Sequence, residues 1–239
     1  MLNYHIFSIS LGALGIILLV IANKLPLLMQ QIRVIKQKAI SKKKELERLE
    51  KLEKTRAMKA AGDKGEKSVQ FLLDHLDTNI YKVWNGIYLH HHGTEHEFDH
   101  LVVGPSGLIH IETKVYSGEL TFTPNGIEQV KTDRYGNRHD KKILKDPTGQ
   151  IILHELLLKK ILNANQLMDV NITNILCIAH ETAQIIGSPV NPSIFVCKEP
   201  ALLHIINEQS SSIDLETQNN LIDAIDSAIV ERRKVAENA

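Results

Sequence analysis

The longest uninterrupted apolar stretch is residues 6–22, IFSISLGALGIILLVIA, with no charged residue in it. A bilayer core of about 30 Å needs about 20 helical residues to cross it, so the pattern predicts a transmembrane helix over 4–25. Behind it the pattern changes. Ile32, Ile35, Ala39, Leu46, Leu49 and Leu52 recur at helical spacing within a polar, basic segment, which predicts a helical stalk over 27–60. Glu45, Glu47, Glu50 and Glu53 alternate there with Lys and Arg, so i,i+4 pairs support a solvated helix. A globular pattern begins near Ala61. Val69, Leu72, Leu73 and Leu76 share one helical face, with Asp63 and Glu66 placed as a capping pair at its start. YKVWNGIYL, residues 97–103 and residues 108–115 read as strands, and 119–123 with 127–131 as a hairpin about a PNG turn. A polar loop leads into a helix from Gln150 to Gln166. NILCIA and SIFVC are short buried strands, and helices over 199–209 and 213–236 close the chain. The fold class expected is α/β, a mixed sheet flanked by helices, divided into the span (4–25), the stalk (27–60), a sheet domain (61–198) and C-terminal helices (199–239).

Charge sharpens this outline. Net charge is zero, yet residues 31–60 hold eleven Lys or Arg against four Glu, so the rest is acidic to the same degree. Basic residues directly behind a span put that side in the cytoplasm. The expectation is a single-pass protein, N-terminus outside and C-terminal domain cytoplasmic. A cleaved signal peptide competes, but no Lys or Arg precedes the apolar run and no A-x-A follows it. The stalk, close to anionic headgroups, also offers a surface for self-association. A nucleic-acid-binding arm is its rival, though no aromatic residues interleave with the cations. Cys177 and Cys197 both sit in apolar runs and read as buried thiols.

The chemistry concentrates in EFDHLVVGPSGLIHIETK, residues 97–114. If Pro105 and Ser106 centre the turn, Gly104 faces Gly107, Leu101 faces His110 and Asp99 faces Glu112. Glu112 and Lys114 are two apart and share a strand face, so this register gathers Asp99, Glu112 and Lys114. Opposed like charges destabilise a sheet. A divalent cation offsets that, and Mg²⁺ is typically held by one or two carboxylates with water and phosphate oxygens. Lys114 is then placed to orient or deprotonate water, or to neutralise developing charge. A solvent-facing strand edge with a Glu–Lys neighbour pair is the plainer alternative.

With these residues, EFDHLVVGPSGLIHIETKVYSGEL resembles the nuclease-related domain (NERD) family. That family is grouped with the PD-(D/E)xK nucleases of restriction-endonuclease-like fold. Asp99 matches its first acid, and Glu112 and Lys114 its E-x-K. GDKGE at 62–66 resembles the early G-x-x-G-E and brings in Glu66. DPTGQ at 146–150 resembles the later P-x-x-Q and brings in Gln150. The resemblance implies a Mg²⁺- or Mn²⁺-dependent nuclease acting on nucleic acid, DNA before RNA, with Asp99 and Glu112 as metal ligands and Lys114, Glu66 and Gln150 as further catalytic contributors. Glu66 equally reads as a capping residue, and Gln150 as an ordinary first-turn polar residue. A non-catalytic nucleic-acid-binding or scaffold module at the membrane face is the alternative function.

His90, His91, His92, His96 and His100 suggest zinc, but their spacing fits no zinc motif, and a loop joining two strands is the simpler account. His110 shares the Glu112 face, within reach of substrate or water. Lys131, Arg134, Arg138, Lys141, Lys142 and Lys145 are candidates for phosphate contact.

Overall fold

In a computed structural model, residues 2–91, 93–133, 135–187, 189, 191–209 and 213–230 are described. The chain divides into two compact units, 1–58 and 59–239.

Helix α1 (Leu2–Leu73) runs from the first unit into the second. In the first unit, Leu25, Leu28, Ile32, Ile35, Leu46, Leu49 and Leu52 are all exposed. Lys43 and Glu47 form an exposed i,i+4 pair at 3.9 Å, of the kind that contributes about 0.5 kcal/mol or less. Among the described residues, no helix is long and apolar enough to cross a membrane. The side chains of residues 2–18, most of the expected span, lie outside that description. The capping expectation for Asp63 and Glu66 is corrected. No helix starts there, because nothing between Lys54 and Glu66 breaks the helical pattern and α1 continues through both residues. Gly62 and Gly65 are tolerated within it. At Gly65 the reason is close approach: an added Cβ would lie 2.4 Å from Val115 Cγ2.

In the second unit the order continues β1 (Lys82–His91), β2 (Thr94–Gly104), β3 (Gly107–Lys114), β4 (Gly118–Thr123), β5 (Gly126–Val130), β6 (Lys142–Leu144), α2 (Thr148–Ala164), β7 (Ile172–Ile178), β8 (Ala183–Ile186), β9 (Ile194–Lys198), α3 (Glu199–Asn207) and α4 (Leu215–Ala228). The α/β expectation holds, but with two mixed sheets rather than one. A five-stranded sheet has the order β1-β2-β3-β7-β9, and a four-stranded sheet β6-β5-β4-β8. In the first, β1, β2 and β3 are antiparallel neighbours, whereas β3, β7 and β9 run parallel. In the second, the β4–β5 hairpin about the PNG turn gains β6 on one side and β8 in parallel on the other.

Alternation along β2 and β3 determines what lies on each face of the larger sheet. Leu101, Val103 and Leu108 pack beneath Leu157, Leu158, Ile161 and Leu162 of α2 and Leu221 and Ile225 of α4. Val102, Ile109 and Ile111 face the other way, against Val69 and Leu73 of α1 and Leu202 and Ile206 of α3. The smaller sheet closes against the start of α2 through Leu120, Ile127 and Ile151. Helix α2 begins where Asp146 Oδ1 accepts hydrogen bonds from the Thr148 amide and hydroxyl, at 2.9 and 2.7 Å. Asp214 is the N-cap of α4, its side chain accepting from the Thr217 amide at 2.7 Å. The helix expected to reach 236 is corrected: it ends at Ala228, because Ile229 turns extended and bridges Leu89 of β1, and residues 231–239 lie outside the described residues.

Candidate active site

The turn between β2 and β3 has the expected register. Gly104 pairs with Gly107, Val103 with Leu108, Leu101 with His110 and His100 with Ile111. At Gly107 the backbone takes φ +103°, and an added Cβ would lie 2.7 Å from the Asn171 carbonyl oxygen, so only glycine fits without strain. The ladder stops at His100, and Asp99 and Glu112 do not pair. On the other side of β2, the pairing with β1 passes from Asn85–His100 to Ile87–Phe98, leaving out Gly86 and Asp99. Gly86 sits at φ +59°. Trp84 and Ile87 line the same core, as do Leu101 and Phe98, although each pair is three residues apart. Both strands therefore reverse their inside–outside order here, and Asp99 occupies the reversal. With no strand partner, its Oδ2 accepts the Thr113 amide hydrogen bond at 2.7 Å in place of a ladder bond.

This opening between β2 and β3 collects the charged groups. Glu112 is fully buried. Its Oε1 accepts a short hydrogen bond from Lys114 Nζ, while Oε2 has no hydrogen-bond partner. Burial, then the Asp99 charge, push its carboxyl up to about 7. Burial also raises Asp99, against the Thr113 amide and Lys114, which lower it. Glu66, half-buried on α1, is raised by burial and then by Asp99. Its charge and that of the exposed Glu97 both act on the Asp99 carboxyl or are acted on by it. Burial pulls the Lys114 ammonium down, but the Glu112 and Asp99 charges outweigh it and hold it above the ordinary lysine value. The Lys114 ammonium thus acts on three carboxylates, Glu112, Asp99 and Glu66. Gln150 is exposed in the first turn of α2.

Behind Glu112 lies a polar chain that the strand reading did not anticipate. His154 comes from the otherwise apolar inner face of α2, one turn beyond Gln150. Its Nδ1 lies 3.6 Å from Glu112 Oε2 and 3.1 Å from His110 Nε2. His110 Nδ1 meets Asn174 Oδ1 at 3.0 Å, and Asn174 Nδ2 donates to Glu155 Oε2 at 2.7 Å. Burial holds His110 at about 4 and His154 at about 3, both below the ordinary 6.5. Both rings are therefore neutral near pH 7, and the His154–Glu112 contact is no ion pair. The ligand atoms of His110, Glu112 and His154 all lie within 4.8 Å of one another. A lone histidine on an apolar helix stripe, four residues after Gln150, is the sequence signal that would have found His154.

Of the other candidates, His96 packs edge-on against His154, ring centroids 5.5 Å apart, and those that follow lie apart from the cluster. His90 Nε2 accepts from the Gly93 amide at 3.0 Å, closing the β1–β2 hairpin. His100 is buried and bonded to Asn85 Oδ1 at 2.7 Å. Of the basic residues considered for phosphate contact, Arg138 and Lys141 are committed to ion pairs with Glu119 and Glu128, at 2.6 and 2.8 Å. Lys131, Lys142 and Lys145 are exposed, and Arg134 lies outside the described residues, as does His92.

Residues 61–179 match the family model described as "Nuclease-related domain"; Glu66, Asp99, His110, Glu112, Lys114, Gln150 and His154 all fall within that range. Searches of curated proteins and of solved structures returned no match.

Proposed function

Starting from a chain that belongs to the nuclease-related domain family through residues 61–179, we propose a divalent-metal-dependent nuclease with a restriction-endonuclease-like sheet, cleaving phosphodiester bonds of DNA or RNA. The observation that carries this reading is the gathering of Glu66, Asp99 and Glu112 about Lys114 where β2 and β3 part. Carboxylates that raise one another's proton affinity fit a doubly charged cation. Asp99 and Glu112 would hold it. When bound, Mg²⁺ or Mn²⁺ supplies Lewis-acid polarisation of the phosphate and a more acidic water.

The chain's own groups have distinct tasks. The Thr113 amide fixes one oxygen of Asp99 and so aims the other. Lys114, held as an ammonium, suits stabilisation of negative charge on the phosphate rather than proton abstraction. Glu66 adds a third carboxylate. The Gln150 amide, both donor and acceptor, is available to orient water or a phosphate oxygen. Labelled DNA and RNA, first with EDTA and then with Mn²⁺, test the reading. Cleavage on adding the ion is expected, whereas retention without cleavage would leave a binding module.

A single-pass anchor over 4–25, with the basic stalk and the 61–198 domain in the cytoplasm, is the companion proposal, supported by the charge-free run at 6–22 and the cations behind it. The exposed apolar stripe of the stalk supports self-association. The full chain is expected to remain with membranes through a carbonate wash, and a reporter at Ala239 to be cytoplasmic. A mature protein beginning near residue 23 would contradict the anchor, and a monomer in detergent would contradict self-association.

A further inference from the structure

We propose that His110, Glu112 and His154 form a second metal site, selective for a zinc-class ion and separate from the Asp99 position. The three residues join two elements, β3 and α2, and their ligand atoms converge in a buried space. Zinc–nitrogen and zinc–oxygen bonds of about 2.0–2.1 Å in a tetrahedron put neighbouring ligand atoms about 3.3 Å apart. The spacings of 3.1 Å between His110 Nε2 and His154 Nδ1, and 3.6 Å between His154 Nδ1 and Glu112 Oε2, bracket that value.

The hydrogen bonding around the cluster points the same way. Asn174 donates its amide N–H to Glu155, so its oxygen faces His110 and accepts from the His110 Nδ1–H. His110 Nε2 therefore presents a lone pair to the cluster, its orientation fixed from outside, the usual arrangement behind a metal-binding imidazole. His154 Nδ1–H donates to that lone pair. This satisfies both nitrogens of His110 and leaves Glu112 Oε2 fully buried with no partner. An ion between the three atoms takes an anionic oxygen and two nitrogen lone pairs, and His154 needs only to carry its proton on Nε2 instead of Nδ1. Three protein ligands leave a fourth position for water, as in open zinc sites. Imidazole favours zinc and neighbouring transition metals, whereas carboxylate, carbonyl and water favour Mg²⁺. Glu112 is then shared, Oε1 toward Lys114 and the Asp99 position and Oε2 toward the imidazoles. The site stands on its own geometry, whether or not the domain cleaves nucleic acid.

Cobalt(II) is the probe, because its visible bands report four-coordinate nitrogen and oxygen ligation. The purified full-length chain, stripped with chelator, is titrated with Co²⁺ and then with Zn²⁺. Intense bands that Zn²⁺ abolishes are expected in the wild type and in Asp99→Asn, and at least about tenfold weaker binding in His110→Gln and His154→Gln. Melting of the metal-free variants checks that they fold, and the wild-type spectrum stands without them. Absence of bands in the wild type overturns the proposal. So does their persistence in folded His154→Gln, which would move the ion to the His-rich hairpin, or their loss in Asp99→Asn, which would merge the two positions. Mg²⁺- or Mn²⁺-dependent cleavage by a chain that binds no Co²⁺ would sink this proposal and leave the nuclease reading intact.

Discussion

Asp99→Asn and Lys114→Met are each expected to reduce phosphodiester cleavage by at least about 10²-fold, the scale of losing one electrostatic contributor to a transition state. The two losses should differ in kind. Lys114 is kept charged by Glu112 and Asp99, so its removal takes away a cation facing the phosphate and should lower kcat more than it weakens substrate binding. Asp99, anchored by the Thr113 amide, is assigned to the ion, so Asp99→Asn should also move the metal requirement to higher concentration. Glu66→Gln and Gln150→Ala should cost less, because neither is fixed by a hydrogen bond comparable to that of Asp99. Steady-state rates over a metal titration, on variants with wild-type melting curves, check all four. Undiminished cleavage by both Asp99→Asn and Lys114→Met would remove these residues from the mechanism.

The metal-free domain is expected to lose about 4 kcal/mol of stability between pH 6.5 and 4.5. His100 and His110 are held at about 4 and His154 at about 3, each chiefly by burial, against an ordinary 6.5. A depressed pKa means that the fold binds fewer protons than the unfolded chain. Their contribution is therefore present above pH 6.5 and lost as pH falls through 6.5 toward 4. A histidine held that far below its ordinary value loses about 2 kcal/mol between pH 6.5 and 4.5, so the three together lose about 6. Glu112 works in the opposite sense. Its raised pKa gives stability that is present below 4.5 and lost as pH rises through about 7, so its protonation offsets roughly one histidine over the same window. Urea melts with EDTA at several pH values measure the net slope. His154→Phe should flatten it, and an equal slope in both proteins would contradict the account.

The β2–β3 register was legible because Gly-Pro-Ser-Gly admits few turns, and a two-residue loop fixes every facing pair up to His100–Ile111. What lay beyond was not legible. Gly86 departs from extended geometry, and nothing in a period of two announces that Asp99 will leave both ladders. The acids still meet, through the Thr113 amide rather than as an opposed pair. β6 and β8 were missed because three or four residues carry no resolvable alternation, and their sheet exists only through long-range pairing with the β4–β5 hairpin. Asp63 and Glu66 suggested a helix start because D-x-x-E is a local signal. The continuing helix and the packing of Gly65 against Val115 overrode it. His154 stayed hidden for a related reason. Its partners, His110 and Glu112, lie more than forty residues away in sequence, and only the packing of α2 on the sheet brings them together.

The most direct measurement is cleavage of labelled DNA and RNA by the purified chain across a titration of Mg²⁺ and Mn²⁺, with Asp99→Asn purified in parallel. The account predicts cleavage that requires the ion, stops with EDTA, and is at least about 10²-fold slower in Asp99→Asn. Cleavage at equal rates by the two proteins, or none by the folded wild type at any concentration of either ion, would contradict it.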